Sequence, residues 1–494
     1  MQRKMPIFYS AILLTGVNLL LRLVGTSFQV YISGRIGAAG VGLLQLVLSI
    51  GGMAMTAGVA GVRTATMYLT AEELGKKRPG NVHWVLQGCG IYSIMCSSIV
   101  GLAVYLAAPY LSINWIGDNR TEGALQLLAL FLPITCLCGV MTGYFTAANR
   151  IGTLAVVEVA EQLCSMIFTL GALTLWAGQD PGRSCTTVVL GSCMGACLTF
   201  LCLVILRLRE KTLPSTRIPV TRRLLDTAIP LALADDMKAG INTVENLMVP
   251  KRLSLYSGTD NALALFGTVS GMVFPVLMFP AAILFGLAEL LIPELARCHA
   301  AGSGRRISYL VRRSLKVALL YGVFFSGLMF LLAENLCVSL YGSPEAGRYR
   351  KLYALLIPML YCDAIVDAMI KGMGQQTVSV RYNIFTNILD VVFLYLLLPK
   401  YGMMGYFFSF LITHLINFGL SLRRLLIITK EHIPLHVPLL TLAAAVAALW
   451  GASIPAASIG RISAFTLLLG SLLALLGILQ KEDALWLKGL LHKK

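Results

Sequence analysis

Long apolar stretches, separated by short polar turns, follow one another along almost the whole chain. A helix needs about 20 mainly apolar residues to cross the hydrocarbon core of a bilayer. Stretches of that length, which we number spans 1 to 14 in chain order, lie at 7–30, 40–66, 84–107, 124–147, 153–176, 184–206, 224–250, 262–292, 312–333, 352–371, 382–398, 403–422, 436–455 and 462–480. The pattern predicts an all-α polytopic membrane protein with about fourteen transmembrane helices.

A weak internal repeat divides the chain into two comparable halves. The stretch GYFTAANRIGTLAVVE, from Gly143, leaves one span through a turn of small residues and enters the next. The stretch MIKGMGQQTVSVRYNIF, from Met369, does the same after a similar order of spans. We therefore predict two six-helix lobes related by a pseudo-twofold axis along the membrane normal. The predicted parts are residues 1–210 (N-lobe, spans 1–6), 211–430 (C-lobe, spans 7–12) and 431–494 (an extra helix pair, spans 13 and 14, with a cytoplasmic tail).

Composition and charge support a membrane location and give the chain an orientation. Only 13% of the residues are charged and the mean hydropathy is +0.78, whereas soluble domains contain about 25% charged residues. The net charge of +17 does not indicate nucleic-acid binding, because the basic residues collect in alternate loops, as membrane orientation requires. The loops predicted inside are 67–83, 148–152, 207–223, 293–311, 372–381 and 423–435. We predict a multi-pass protein of the cell membrane with both termini cytoplasmic.

Span 7 carries charges where a transmembrane helix normally has none. Within the apolar stretch from Leu224 to Leu253, Asp235, Lys238, Asn242 and Glu245 stand at i, i+3, i+7 and i+10, which is one helix face. An ionised side chain at mid-bilayer costs about 2.5–3.5 kcal/mol on insertion scales. The face is therefore predicted to line a polar cavity.

Polar residues are concentrated on some of the other spans and absent from the apolar centres of the rest. Such a division is typical of a solute pathway lined by some helices and surrounded by others. The polar positions are Asn18, Arg22 and Gln29 on span 1; Gln45, Ser49, Thr56 and Arg63 on span 2; Glu158 and Glu161 on span 5; Glu289 and Glu294 on span 8; Asp363, Asp367 and Lys371 on span 10; Asn383, Asn387 and Asp390 on span 11; and His414 and Asn417 on span 12.

Motifs for enzymatic or metal chemistry are missing from the sequence. Neither GxxxxGK[ST] nor HExxH occurs, and the 12 cysteines show no metal-ligand spacing. We expect no catalytic residue, cofactor or metal site. One enzyme alternative is an intramembrane prenyltransferase, in which Asp363 and Asp367 together with Asp235 and Asp236 would hold Mg²⁺–pyrophosphate. Another alternative is a scaffold for cell-wall assembly without transport.

Several short stretches resemble one family of membrane transporters. LLPKYGMMGY, from Leu397, resembles the turn between helices 11 and 12 of polysaccharide and lipid-linked oligosaccharide flippases, and VENLMVPKRL, from Val244, resembles the exit of their seventh helix. Arg22 followed by a Val-Gly pair, and GVGLLQLVLSI from Gly40, resemble their first two helices. The whole chain is similar to the stage V sporulation protein B branch, a polysaccharide flippase branch of the multidrug/oligosaccharidyl-lipid/polysaccharide exporter superfamily.

The resemblance implies two lobes that rock around a central V-shaped cavity lined by spans 1, 2, 7 and 8. It implies a flippase for a lipid-linked oligosaccharide or peptidoglycan precursor, with a cationic central cavity. Arg22, Arg63, Lys238 and Arg252 would bind the lipid pyrophosphate. Gln45 and Asn18, on the stripes of spans 2 and 1, are further candidate substrate ligands. Two departures are Glu245, where the branch is expected to have Asp, and Ser165, where an Arg often follows the Glu161-Gln162 pair.

Four carboxylates are candidates for coupling transport to an ion gradient: Asp235, Glu245, Asp363 and Asp367. The coupling ion would be H⁺ or Na⁺. The alternative is local neutralisation, of Asp235 and Glu245 by Lys238 or Arg22 and of Asp363 and Asp367 by Lys371. The rival function is a cation-coupled multidrug antiporter of the same superfamily. We expect a lipid-linked glycan as substrate, the membrane as surroundings, no nucleic acid, and a monomer.

Overall fold

The computed structural model describes residues 7–59, 61–148, 150–177, 180–210, 220–431, 434, 436–454 and 458–479. Every regular element in these ranges is a helix, and they contain no strand. Within the described residues, ten helical runs are long and apolar enough to cross a membrane, or up to eleven when one bent pair is counted as a span. The predicted all-α polytopic fold is confirmed, whereas the count of fourteen spans stays a prediction.

Helices α1 to α8 belong to the first of two compact units, which contains the described residues up to Gly271 together with Val391–Gly405. Their bounds are α1 Ile7–Val59, α2 Val62–Gly75, α3 Val82–Tyr110, α4 Glu122–Ala147, α5 Ile151–Ala172, α6 Pro181–Leu208, α7 Thr221–Ser257 and α8 Thr259–Gly267. Short 3₁₀ turns, at Pro79–Asn81 and Asn119–Thr121, precede α3 and α4, and π-helical segments, at Leu111–Ile116 and Leu173–Ala177, extend α3 and α5.

The second unit contains the described residues of Met272–Asp390 and those from Tyr406 onward. A π-helical segment, Thr268–Val273, leads into it. The remaining helices are α9 Phe274–Met278, α10 Ala281–Ala300, α11 Gly304–Leu331, α12 Ala333–Tyr341, α13 Pro344–Ala354, α14 Ile357–Gly372, α15 Gln376–Tyr401, α16 Met403–Thr429, α17 His436–Ala452 and α18 Ser458–Leu475. The division into lobes at residues 210 and 430 stays a prediction.

Two glycines break the long N-terminal helical run. The run Leu20–Gly75 has 56 residues, so a straight helix would be about 84 Å long, far more than the bilayer core of about 30 Å. Gly37 interrupts α1 with φ 71° and ψ 172°, and Gly61 separates α1 from α2 with φ 71°. A Cβ at Gly61 would lie 2.5 Å from the carbonyl oxygen of Ala228 in α7. This close approach brings the start of α2 directly against α7.

Spans 8 and 10 are continuous in the sequence prediction but broken in the structure. Helices α9 and α10 are separated at Phe279 and Pro280, and α13 and α14 meet at an angle of 54°, with Pro358 in the first turn of α14. A proline lacks the N–H of a helical hydrogen bond and clashes with the preceding turn, so a helix readily ends there. Helix α12, which was not predicted, fills part of the connection between α11 and α13.

The core of the first unit joins α2 to its neighbours. Val62, Ala65 and Leu69 of α2 are buried together with Val85 of α3 and Leu224 of α7. Because these positions of α2 are three or four residues apart, they form one apolar stripe, and the opposite face of α2 is left to other contacts. This packing determines which way Arg63 points.

The core of the second unit includes the two helices that correspond to spans 13 and 14. Phe465 of α18 and Ala448 of α17 are buried in one cluster with Val323 of α11. A Cβ at Gly327 of α11 would lie 2.0 Å from Cζ of Phe465, so only glycine leaves room for this ring. The α17–α18 pair is thus held against α11 by close small-residue packing, a common arrangement in membrane proteins.

Candidate functional site

A cavity of about 680 Å³ lies within the first unit, among α1, α2 and α4 to α7. This volume is in the range typical of ligand pockets. The described residues that line it are Gly52, Met55, Thr56, Val59, Gly61, Arg63, Thr135, Cys138, Gly139, Thr142, Leu154, Glu158, Glu161, Ala196, Thr199, Asp235, Lys238, Ala239 and Asn242. Five of them are charged, although the surrounding helices are apolar.

The polar stripe of α7 supplies one wall of this cavity. Asp235, Lys238 and Asn242 all line it, and all three side chains are exposed. A hydrogen bond fixes α7 against α1, because the Thr243 hydroxyl donates to the carbonyl oxygen of Ser49 in α1 at 3.0 Å. The helical period then turns positions 235, 238 and 242 toward the open volume.

Arg63 reaches the cavity because α2 restarts after the left-handed turn at Gly61. Val62 and Ala65 point into the core, so position 63 faces the opposite way. Helix α4 approaches closely here, since a Cβ at Gly143 would lie 2.5 Å from the backbone oxygen of Arg63. The guanidinium is exposed to the cavity.

Two carboxylates of α5 form another part of the wall. Glu158 and Glu161 are one helical turn apart and both are half-buried. The Thr199 hydroxyl of α6 donates to Oε2 of Glu161 at 2.7 Å, which fixes that carboxylate. Glu158 interacts electrostatically with Arg63 and with Glu161. The cavity therefore places acidic groups from one helix near a basic group from another.

The charges of the lining are mixed. The cations Arg63 and Lys238 accompany three carboxylates, those of Glu158, Glu161 and Asp235. Within the described ranges, none of the five forms an ion pair with N···O of 4.0 Å or less. This lining differs from the cationic cavity implied by the family resemblance, because α5 turns two acidic residues inward. Apart from the Thr199 hydrogen bond to Glu161 and the longer-range interaction of Glu158 with Arg63, these charges can interact with water or with a ligand.

Of the six predicted substrate ligands, Arg63 and Lys238 share the cavity. Arg22 and Gln45 are half-buried on α1 and are not among the described lining residues. Arg252 lies near the end of α7, with its guanidinium carbon 3.3 Å from the ring centroid of Tyr395. The side chain of Asn18 lies outside the described residues. The structure thus brings together the second and seventh predicted spans at this point.

The four predicted coupling carboxylates are not together. Asp235 lines the cavity, whereas Glu245 is half-buried further along α7 and is not in the described lining. Asp367, in the second unit, pairs with Lys371 at 2.6 Å and accepts a hydrogen bond from Ser379. This ion pair is the local neutralisation that the sequence analysis gave as the alternative to a role of Asp367 in ion coupling.

Asp363 belongs to a polar cluster of α14, α15 and α16 in the second unit. Its two oxygens accept hydrogen bonds from the Asn417 amide at 3.2 and 3.4 Å. One to two turns before Asn417 on α16, the hydroxyls of Ser409 and Thr413 donate to Oδ1 of the buried Asp390, at 2.6 and 3.1 Å. Asp363 is therefore held by an amide, in contrast to Asp367 with its lysine.

Glu158 and Glu161 were predicted as polar positions of span 5 but not as ligand or coupling residues, and Thr199 was not predicted at all. The sequence did contain a sign of the first two, because a pair of acids one turn apart in an apolar helix is rare without a polar partner. Thr199 carried no such sign, since a lone threonine in an apolar helix is ordinary. Within the described part of the chain, no group of three or more His, Cys, Asp or Glu side chains could hold a metal ion.

An apolar helical bundle that encloses an open, charged cavity is the architecture of a membrane transporter. Comparison with known families agrees with this class. Residues 8–249 match the family described as "Polysaccharide biosynthesis protein", and residues 254–396 match the MatE family. Together the two matches include most of the chain.

Two curated relatives are sporulation proteins of one organism. "Stage V sporulation protein B" of Bacillus subtilis (strain 168) is 20% identical over 418 residues, which is 81% of this chain and 80% of the relative. "Sporulation protein YkvU" of the same organism is 23% identical over 277 residues, which is 54% of this chain and 61% of the relative.

Solved structures show the same fold. The lipid II flippase MurJ, in an inward closed conformation, aligns with a TM-score of 0.71 over 94% of this chain and 98% of that chain, at 14% identity. An inward-facing multidrug resistance MATE family transporter aligns with a TM-score of 0.69 over 86% of this chain and all of that chain, also at 14% identity.

These matches confirm the predicted resemblance to the polysaccharide flippase branch of the multidrug/oligosaccharidyl-lipid/polysaccharide exporter superfamily. The chain is a multi-pass membrane transporter and not an enzyme.

Proposed function

We propose that this transporter is a flippase that moves a lipid-linked oligosaccharide or peptidoglycan precursor across the cell membrane. The observation that carries the proposal is the joint position of Arg63 and Lys238. They come from different helices, are exposed to one cavity, and have no ion-pair partner within 4.0 Å among the described residues. Two such cations are suited to an anionic headgroup that enters from outside the protein.

The chemistry of the two cations fits a pyrophosphate. An arginine offers a planar fork of donors to phosphate oxygens, and a lysine adds a mobile point charge. In the proposed mechanism these groups hold the phosphates and the first sugar while the lipid tail stays in the bilayer, and the protein alternates between two access states. Arg22, Arg252, Gln45 and Asn18 remain predicted ligands of the same headgroup in other states of the cycle.

Coupling to an ion gradient is the second part of the proposal. Asp235 faces the cavity beside Lys238, so uptake of H⁺ or Na⁺ there would change the net charge that the headgroup meets. Glu245, Asp363 and Asp367 remain predicted coupling residues. For Asp367 the bond to Lys371 would have to open during the cycle, which makes it a weaker candidate than Asp363.

Transport of a fluorescent lipid in reconstituted vesicles tests the proposal. The substrate is a prenyl pyrophosphate that carries one labelled N-acetylglucosamine, and the initial translocation rate is measured by dithionite quenching. We expect Arg63→Ala and Lys238→Ala each to lower the rate about tenfold or more, because each removes a charge-assisted phosphate contact. The control is Arg222→Ala, an exposed arginine at the start of α7 that does not line the cavity. Equal rates in all four proteins would refute the proposal.

A cation-coupled multidrug antiporter is the second candidate. The supporting observation is that carboxylates outnumber cations in the cavity, since organic cations bind to acidic sites. In this case Glu158→Gln and Asp235→Asn would abolish ethidium export from loaded vesicles, and Arg63→Ala would leave it intact. If the wild-type protein exports no organic cation under a proton or sodium gradient, this candidate is excluded.

A further inference from the structure

The walls of the cavity in the first unit bear charges of opposite sign. Arg63 of α2 and Lys238 of α7 supply the positive charges, and the acid pair Glu158 and Glu161 of α5 supplies negative ones. A binding site for a simple anion would gain nothing from two inward-facing glutamates, because they repel it. Their presence in the same cavity therefore requires an explanation.

We propose, on the basis of the proposed flippase function, that the transported headgroup carries a free ammonium group in addition to its phosphates. Arg63 and Lys238 hold the phosphate oxygens, and Glu158 and Glu161 hold the ammonium. The substrate class is a lipid-linked glycan with an unacetylated amino sugar or an amino-acid amine near the pyrophosphate.

The charge balance of the cavity supports a ligand of this kind. The described lining carries two positive and three negative side chains, which gives a net charge of −1 when all are ionised. A pyrophosphate alone makes the occupied cavity more negative, whereas a ligand that also brings an ammonium offsets part of that charge. In a pocket partly shielded from water, like charges repel more strongly than they do in bulk solvent.

The geometry of the acid pair also suits an ammonium. Glu158 and Glu161 are one turn apart on α5, so their carboxylates lie on one face. The Thr199 hydroxyl donates to only one oxygen of Glu161, Oε2, which leaves Oε1 available for a ligand. An ammonium has three donors and can bridge two carboxylates that would otherwise repel each other.

A simpler role for the acids is to balance the charge of Arg63 when no substrate is bound. Glu158 does interact electrostatically with Arg63. In that case the loss of the acids would affect every anionic ligand alike. If the acids bind an ammonium, their loss would affect only ligands that have one. This difference makes the two roles separable by experiment.

The test uses two synthetic probes and equilibrium binding to the purified, detergent-solubilised protein. One probe is farnesyl pyrophosphate linked to glucosamine, with a free ammonium, and the other is its N-acetylated analogue. We expect the wild type to bind the ammonium probe about tenfold more tightly. In Glu158→Gln/Glu161→Gln this preference should disappear, with the affinity for the N-acetylated probe unchanged or increased.

Because Glu161 is hydrogen-bonded to Thr199, the double variant could lose structure. The single variant Glu158→Gln, which breaks no hydrogen bond between described residues, provides a second measurement and should lower the preference at least threefold. The control is Glu122→Gln, a glutamate in the first turn of α4 that does not line the cavity and should leave the preference unchanged.

Two different failures can be told apart. If neither probe binds, or if Arg63→Ala binds both as the wild type does, the flippase proposal itself is wrong. If both probes bind with equal affinity to the wild type, or if Glu158→Gln weakens both by the same factor, only the ammonium proposal is overturned. The acids would then be counter-charges of Arg63.

Discussion

The charged residues inside this apolar chain fall into two groups according to their partners. Arg223, Asp367 and Lys371 are bound to neighbours of opposite charge, and their interactions are internal. Arg63 and Lys238 face an open cavity without such a partner among the described residues. A charge that has a permanent partner stabilises the fold, whereas a charge left open in a cavity is available to a ligand.

Arg223 provides a test of the first group. Its guanidinium contacts the carboxylates of both Glu72 and Glu73, which joins α7 to the end of α2. Glu73 is only 2% exposed, so the loss of Arg223 would leave a buried carboxylate with less compensation. We expect Arg223→Ala to lower the free energy of unfolding by about 1–3 kcal/mol.

The matched control for Arg223→Ala is Arg222→Ala, because Arg222 is exposed and has no partner among the described residues. It should change stability by less than about 0.5 kcal/mol. Thermal unfolding in detergent, followed by loss of monodisperse protein, compares the two variants. Equal melting temperatures for both would mean that the contacts of Arg223 contribute nothing.

At the residue scale, three of the four polar residues predicted on one face of α7 line the cavity, whereas Glu245 is not in the described lining and the acids of α5 were not among the predicted site residues. The charges of α7 are numerous and regularly spaced, so their common face could be predicted from the helical period alone. The position of Arg63 depended on the turn at Gly61, and the role of Glu161 depended on Thr199 of another helix. Contacts between helices cannot be read from the period of one helix.

Single small residues determine how the helices of this protein pack and where they bend. Gly61 allows α2 to approach α7, and Gly327 makes room for Phe465 between α11 and α18. At Gly61 a backbone oxygen of the neighbouring helix, and at Gly327 the Phe465 ring, would lie too close to any Cβ atom. The structure thus uses glycine at the helix contacts that fix its shape.

Replacement of Gly327 tests this packing. In Gly327→Ala the new methyl group would lie about where the Phe465 ring now is, so the ring or the helix has to move. Overpacking of this kind costs about 1–3 kcal/mol. The control is Gly470→Ala in α18, whose Cβ would meet nothing within 4 Å. The melting temperature of the first variant should fall and that of the second should not. A fall of equal size in both would contradict the packing account.

At the scale of elements, hydropathy predicted most helix positions but did not predict where a span is broken into two helices. Helices α4, α5 and α6 begin within a few residues of the predicted spans, because their ends are marked by clear polar turns. Spans 8 and 10 were predicted as continuous although each contains a break near Pro280 or Pro358. Prolines are common in transmembrane helices, so their presence alone does not show where a helix ends.

The distribution of basic residues over the whole molecule predicts its orientation in the membrane. The loop at 293–311 holds several arginines and is predicted inside, whereas the connection around Gly342 is predicted outside. Alkaline phosphatase fused after Gly342 should be active in a bacterial host, and the same enzyme fused after Gly302 should be inactive. Green fluorescent protein at the two positions should give the reverse result. Activity of alkaline phosphatase at Gly302 would contradict the predicted orientation.

Fold and family could be predicted for the whole molecule, whereas the substrate could not. Apolar length and the short motifs near Val244 and Leu397 were sufficient for the class of transporter. The mixed charge of the cavity emerged only when α2, α5 and α7 were placed around one volume. The proposal therefore depends on whether Arg63 and Lys238 act together on one phosphate-bearing ligand.

Isothermal titration of farnesyl pyrophosphate into the solubilised protein at constant ionic strength measures most directly whether both side chains contribute to binding of the phosphates. The wild type is compared with Arg63→Gln, Lys238→Gln and the control Arg222→Gln. We expect each cavity variant to raise the dissociation constant at least tenfold, which is a loss of about 1.4 kcal/mol of binding free energy, and the control to stay within twofold of the wild type. Unchanged affinity in both cavity variants, or an equal loss in the control, would contradict the account.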